Sequence, residues 1–115
     1  MTGMDEHTDH LPEIYRSFRR RFPDVVHRHD AVAEAVDAAG PLDEQTLRLV
    51  KLGIALGAQS DGAVRSNVRK ALEAGVSREA IEQVVLLGLT TRGFPATIAA
   101  WKWTSEVFDN EQPDA

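Results

Sequence analysis

The 115-residue sequence contains no cysteine. This absence excludes a disulfide framework, thiolate zinc sites and every mechanism that uses a nucleophilic thiol. Histidine is scarce too, and all four histidines, His7, His10, His27 and His29, precede residue 30. His7 and His10 have metal-ligand spacing only if the N-terminal segment is helical, whereas His27 and His29 point to different faces of a helix. We therefore expect neither a metal site nor a cofactor.

Positive charge is in deficit, with 13 lysines and arginines against 18 acidic residues and a net charge of -5. Such a chain repels phosphate backbones, so no nucleic-acid partner is expected. The arginine run 19–21 is the one basic concentration, and it falls on the face of a helix that is usually solvated. The segment MTGMDEHTDH lacks the features of a secretory signal, and apolar runs stay below the roughly 18 residues of a membrane span. We expect a cytoplasmic protein without a membrane partner.

Alternation of polar and apolar residues, the mark of a half-buried strand, does not occur over any useful length. Apolar residues instead recur at three- and four-residue steps in six segments, which predicts an all-α protein. The ends of the chain are polar and lack this period. The sequence therefore predicts one domain over 11–108, between loose tails at 1–10 and 109–115.

Helix boundaries follow from capping residues and glycine. Gly75 stands where a left-handed residue ends the fourth helix. The third helix, over 44–59, is apolar almost all round, which predicts burial on several sides. The fifth helix is expected over 78–91. The sixth is expected over 95–108, with Ile98, Trp101 and Phe108 as its large apolar side chains. The predicted N-caps are Asp24, Asp43, Ser60 or Asp61, and Ser77.

Three stretches of the sequence resemble the carboxymuconolactone decarboxylase family, which includes the alkylhydroperoxidase D-like (AhpD-like) proteins. They are GPLDEQTLRLVKLGIALGAQ, AVRSNVRKALEAGVSREAIEQVVLL and GFPATIAA. The resemblance covers about residues 11–108 and implies a six-helix AhpD-like bundle. It also implies a homo-oligomer, often a trimer or hexamer, with a small pocket near the helix that begins at about Ser60.

The same resemblance places the family's Cys-x-x-Cys pair at Ser60 and Ala63, and its histidine at Asn67. The decarboxylase branch of the family has an acidic residue early in this helix, near the position of Asp61. Serine and alanine cannot exchange disulfides, so thiol peroxidase chemistry is not expected. Asparagine cannot shuttle a proton near neutral pH as histidine can.

Asp61, Arg65 and Asn67 are the candidate catalytic residues. Asp61 and Arg65 are four residues apart and can pair on one helical face, whereas Asn67 lies about 120° further round. One interpretation is a helix cap, a surface ion pair and a solvated amide. The other is that Arg65 and the helix N-terminus receive a small anionic metabolite, with Asp61 as a general base. Arg92, in the turn TTRGFP, is a weaker candidate for binding an anion.

These residues predict a cysteine-independent enzyme of lyase or decarboxylase type that acts on a small carboxylate or lactone. Two alternatives stay open: a non-catalytic small-molecule-binding protein, and an oligomeric scaffold that retains the family fold without its chemistry. Trp101 and Trp103 lie on different faces of the last helix, so we expect one ring inside the fold and the other against a second subunit.

Overall fold

The computed structural model describes residues 12–110, and within this range every regular element is a helix. The predicted all-α class is confirmed. Between residues 12 and 110, six helices have nine residues or more, and one further helix is a single turn. The predicted N-terminal tail lies outside the described residues. The helices are α1 (Glu13–Arg21), α2 (Pro23–Asp37), α3 (Glu44–Gly57), α4 (Asp61–Glu73), α5 (Arg78–Leu87), α6 (Leu89–Arg92) and α7 (Phe94–Asn110).

The chain divides into two compact units, Met1–Pro41 and Leu42–Ala115. The first unit contains α1 and α2, of which only Val26 is buried. The predicted cap at Asp24 is wrong, because α2 begins at Pro23 and its cap residue is Phe22, two residues before Asp24. Proline is favoured there, since the first turn has no hydrogen bond for its missing N–H and its φ is already helical.

In the second unit, three long helices begin with the same kind of side-chain N-cap. The side chain of the cap residue accepts the backbone N–H three residues later, which satisfies one of the donors that a helix start leaves free. Gly75 has a φ of +87°, the left-handed conformation predicted for the end of α4. The capping residues are Asp43, Ser60 and Ser77, with distances of 2.8, 3.4 and 3.1 Å respectively.

The fifth predicted helix is interrupted at Gly88. The backbone N–H of Gly88 bonds to the carbonyl of Val85 three residues back, and the next turn restarts from the Gly88 carbonyl. Glycine weakens a helix interior because it has the most backbone freedom to lose. The Arg92 side chain covers this glycine so closely that a Cβ there would lie 3.3 Å from its Nε.

A single apolar core joins α3, α4, α5 and α7 in the second unit. Val64, Val68 and Ala71 form an apolar stripe along α4, and all three are fully buried. The starts of α4 and α5 both contact the C-terminal part of α7, through Arg65 to Glu106 and through Arg78 to Phe108. The buried apolar residues are Leu52, Ala55, Leu56, Val64, Val68, Ala71, Val76, Ile81, Val85, Ala100, Val107 and Phe108.

The composition of α3 predicted burial on several sides, but within one chain part of its apolar surface is exposed. Val50 and Ile54 are exposed, Ile54 by 66%. On α7, Phe108 is buried as expected, but Ile98 is 51% exposed. Trp103 packs against the core, while Trp101 remains exposed. None of the helices within 12–110 has the length and hydropathy needed to cross a bilayer.

Candidate functional site

Asp61 is the first residue of α4, where the cap at Ser60 sets the direction of the helix. Its Oδ1 accepts the backbone N–H of Gly62 at 2.9 Å, and its Oδ2 accepts Arg65 Nη1 at 3.2 Å. The predicted pair between Asp61 and Arg65 therefore forms. The hydrogen bond from Arg65, followed by that from Gly62, holds the pKa of Asp61 below its usual value. The side chain is 62% exposed, so solvent screens this pair.

Glu106, on α7, is a partner of Arg65 that the sequence did not predict. The Nε and Nη2 atoms of Arg65 both donate to Glu106 Oε1, at 3.1 and 3.0 Å. Burial opposes the charge of Arg65, but the hydrogen bonds to Glu106 and Asp61 outweigh it and raise the pKa of the guanidinium. The two partners are separated by 41 residues, and no local pattern in the sequence indicates their contact.

Asn67 does not join this cluster. Its Nδ2 donates to the carbonyl of Ala63 at 2.8 Å, within α4 itself. Its Oδ1 is buried and accepts no hydrogen bond. Ser60 and Ala63, where the resemblance places two thiols, form the helix cap, because the Ser60 hydroxyl accepts the Ala63 N–H. The predicted site residues thus lie on one helix, but only Asp61 and Arg65 interact through their side chains.

The chemistry of the cluster follows from its charges. One guanidinium between two carboxylates has a net charge of -1, and three of its five N–H groups are already engaged. An anionic ligand would compete with Asp61 or Glu106 for Arg65. A carboxylate with a lowered pKa is ionised at neutral pH but is a weak general base. The arrangement is therefore suited to holding α4 against α7.

Arg92 and the arginine run 19–21 do not belong to the Arg65 cluster. Arg92 has a buried Nη2 without a hydrogen-bond partner, and its guanidinium lies against Gly88. In the arginine run, Arg19 pairs with Asp30 at 3.0 Å and Arg20 pairs with Glu13. This run is therefore largely neutralised by acidic residues of its own unit.

Metal binding finds no support in the described part of the chain. Among residues 12–110, no three histidine or acidic side chains come together as metal ligands. His27 and His29 are exposed on α2. His7 and His10 lie outside the described residues.

Comparison with known proteins identifies the family of this chain. The sequence model of the carboxymuconolactone decarboxylase family matches residues 23–106. No curated protein and no solved structure shows a significant match to the chain. The matched range includes α4 and its cap residue Ser60. The chain therefore belongs to the carboxymuconolactone decarboxylase family, as a divergent member without cysteine.

Proposed function

We propose that the protein is a non-catalytic, homo-oligomeric member of its family, in which the start of α4 is a structural clamp. The observation that carries this proposal is the position of Arg65, which is bound by Asp61 on its own helix and by Glu106 on α7. An anion-binding arginine needs free donors that face a ligand. Here Nε and Nη2 of Arg65 bind Glu106 and so join α4 to α7, and Nη1 binds Asp61.

The absence of thiols supports this proposal from a second direction. Reduction of a peroxide through a disulfide needs an attacking thiolate and a resolving thiol, and the chain contains neither. The Ser60 hydroxyl is not ionised at neutral pH and is occupied as a helix cap. The start of α4 therefore has the geometry of a capped helix, but it lacks the groups that could carry out this reaction.

Exposed apolar side chains support a homo-oligomer. Val50 and Ile54 project from α3, and a Cβ added at Gly53 or Gly57 on the same helix would meet nothing within 4 Å. A helix that is apolar nearly all round needs a partner on its open side. A second copy of the chain would cover this face, in a trimer or hexamer as the family resemblance implies.

A second candidate function is a cysteine-independent enzyme that acts on a small carboxylate or lactone. The observation that favours it is the buried Oδ1 of Asn67, an acceptor without a donor on the same helix as the exposed Asp61. A hydroxyl or N–H of a substrate would satisfy this acceptor once the side chains that cover it move apart. Asp61 would then act as the base and Arg65 would bind the carboxylate.

A double-mutant cycle with Arg65→Met and Glu106→Gln tests the clamp. Half-exposed ion pairs of this kind contribute about 1 kcal/mol to the free energy of unfolding, so the two substitutions should be less than additive by about that amount. Lys102→Met and Glu73→Gln, at exposed positions of α7 and α4, are the matched controls and should be additive. Additivity of Arg65→Met and Glu106→Gln would contradict the clamp.

The enzyme hypothesis needs a separate assay. The wild type and Asp61→Asn are incubated with a panel of small lactones and carboxylates, and substrate loss is followed by NMR. The proposal of a non-catalytic protein predicts no turnover by either variant. Turnover that falls by about a hundredfold or more in a folded Asp61→Asn variant would establish the second candidate instead.

The oligomer is tested by light scattering after size exclusion. The wild type should elute at a multiple of the protomer mass, and Ile54→Lys should reduce that mass because it places a charge on the apolar face of α3. Glu44→Lys, at the exposed start of the same helix, introduces the same residue and should leave the mass unchanged. A wild-type monomer at high concentration would refute this part of the proposal.

A further inference from the structure

An open groove lies between α5 and α7, and its lining includes none of Asp61, Arg65 and Glu106. Its volume is about 430 Å³, and its lining comes from both helices. Arg78 links the start of α5 to the end of α7, since its Nη2 donates to the carbonyl of Phe108 at 3.2 Å and its guanidinium lies 4.7 Å from the centre of the Phe108 ring. The lining residues are Glu79, Glu82, Gln83, Leu86 and Trp101.

Two carboxylates lie on one side of this groove. Glu79 and Glu82 are three residues apart on α5, so their Cβ atoms are neighbours at about 5–6 Å. Within residues 12–110, neither carboxylate forms a hydrogen bond or an ion pair with another side chain. Two like charges at this separation repel each other, and a cation between them would remove that repulsion.

Leu86 and Trp101 form the apolar part of the lining, and both are accessible. The Leu86 side chain is 59% exposed and Trp101 is 44% exposed, although both are large hydrophobic groups. The face of an indole ring attracts cations through its quadrupole, most strongly among the aromatic side chains. Carboxylates, an open indole and an aliphatic side chain in one groove therefore match a ligand that has a positive charge and an apolar body.

We propose that this groove binds an organic ammonium cation with an apolar body. The ammonium group lies between Glu79 and Glu82 and against the face of Trp101, and the apolar part covers Leu86. The Gln83 amide is available to a polar substituent. The volume is in the range of pockets for small organic ligands, about 300–1,000 Å³. A bare metal ion fits less well, because the described residues supply no third histidine or acidic ligand.

This inference is independent of the clamp at Arg65, and its test uses different residues. The probe is benzyltrimethylammonium, titrated into the full-length protein while the indole N–H signals are followed by NMR. Benzyl alcohol is the neutral control and phenylacetate is the anionic control. We expect the Trp101 indole signal, identified by its loss in Trp101→Leu, to shift in a saturable way with the cation and at least tenfold more weakly with either control.

The charge requirement is tested by substitution. The double variant with Glu79→Gln and Glu82→Gln should weaken benzyltrimethylammonium binding at least tenfold and abolish its advantage over benzyl alcohol. Glu73→Gln, an exposed carboxylate on α4, removes one negative charge elsewhere and should leave binding within twofold. Thermal melts of each variant confirm that the comparison is between folded proteins.

Three results would overturn the proposal. The first is equal binding of the cation and benzyl alcohol by the wild type. The second is unchanged binding by the double variant, or an equal loss in Glu73→Gln, because either would show that the groove carboxylates do not recognise the cation. The third is a Trp101 signal that does not shift while Trp101→Leu lowers the oligomer mass, which would assign the groove to contacts between copies of the chain.

Discussion

Thr104 has a buried hydroxyl that accepts and donates nothing. The residue is fully buried on α7, and its Oγ1 has no hydrogen-bond partner. A hydroxyl left unsatisfied in an apolar interior costs about 1–3 kcal/mol of stability. Valine has nearly the same shape and a similar helix propensity, so Thr104→Val replaces the hydroxyl by a methyl group without opening a cavity. We expect this variant to be more stable than the wild type by about 1 kcal/mol.

Thr97 provides the matched control on the same helix. Its Oγ1 donates to the carbonyl of Gly93 at 2.9 Å, and it is almost as buried as Thr104. Thr97→Val should therefore be destabilising by about 1 kcal/mol, the usual net value of one hydrogen bond. Urea titrations and thermal melts measure both variants, and a stabilisation of 1 kcal/mol raises Tm by about 4 °C in a protein of this size.

The test is that Thr104→Val and Thr97→Val change the free energy of unfolding in opposite directions. If Thr104→Val lowered stability as much as Thr97→Val, the Thr104 hydroxyl would have a partner in solution, such as a bound water. The reasoning from an unsatisfied buried group would then be refuted.

Three further predictions concern other positions in the chain. Leu52→Ala should lower the free energy of unfolding by about 3 kcal/mol in urea titrations, because it leaves a cavity at a fully buried position. Gly75→Ala should lower it by about 1–2 kcal/mol, since an alanine at φ +87° is strained and its Cβ would lie 3.1 Å from Gln45 Nε2, and Gly40→Ala is the control in open space. The lowered pKa of Asp61 stabilises the fold above the usual aspartate pKa, and this contribution is lost as the pH falls from about 4 through the lowered value. Unfolding curves between about pH 5 and 2 should therefore show a smaller loss of stability for Asp61→Asn than for the wild type.

Local signals in the sequence predicted much of the fold. Asp43 and Ser77 start helices as expected, because a cap needs only a side-chain oxygen and an N–H three residues later. The left-handed conformation of Gly75 follows in the same way from one residue and its neighbours. The buried stripe of α4 is equally local, since residues three and four apart share a helical face.

Contacts between distant residues were not predictable from these signals. Glu106 contacts Arg65 only because α7 packs against α4, and nothing in its own sequence neighbourhood indicates that partner. The interruption at Gly88 depends on a balance between glycine's low helix propensity and the apolar residues on both sides, which a periodic pattern does not resolve. The function depends on such long-range contacts, so the roles of Asp61, Arg65 and Asn67 stay predictions.

The scarcity of buried residues in α1 and α2 bears on how this part of the chain is held. Apart from Val26, these helices keep their large apolar side chains on the surface, among them Ile14, Val32 and Val36. Helices of such length are marginal in water unless an apolar face is covered. Amide protons of residues 13–37 should therefore exchange with solvent through frequent local opening, and any surface that covers Val32 and Val36 would slow that exchange.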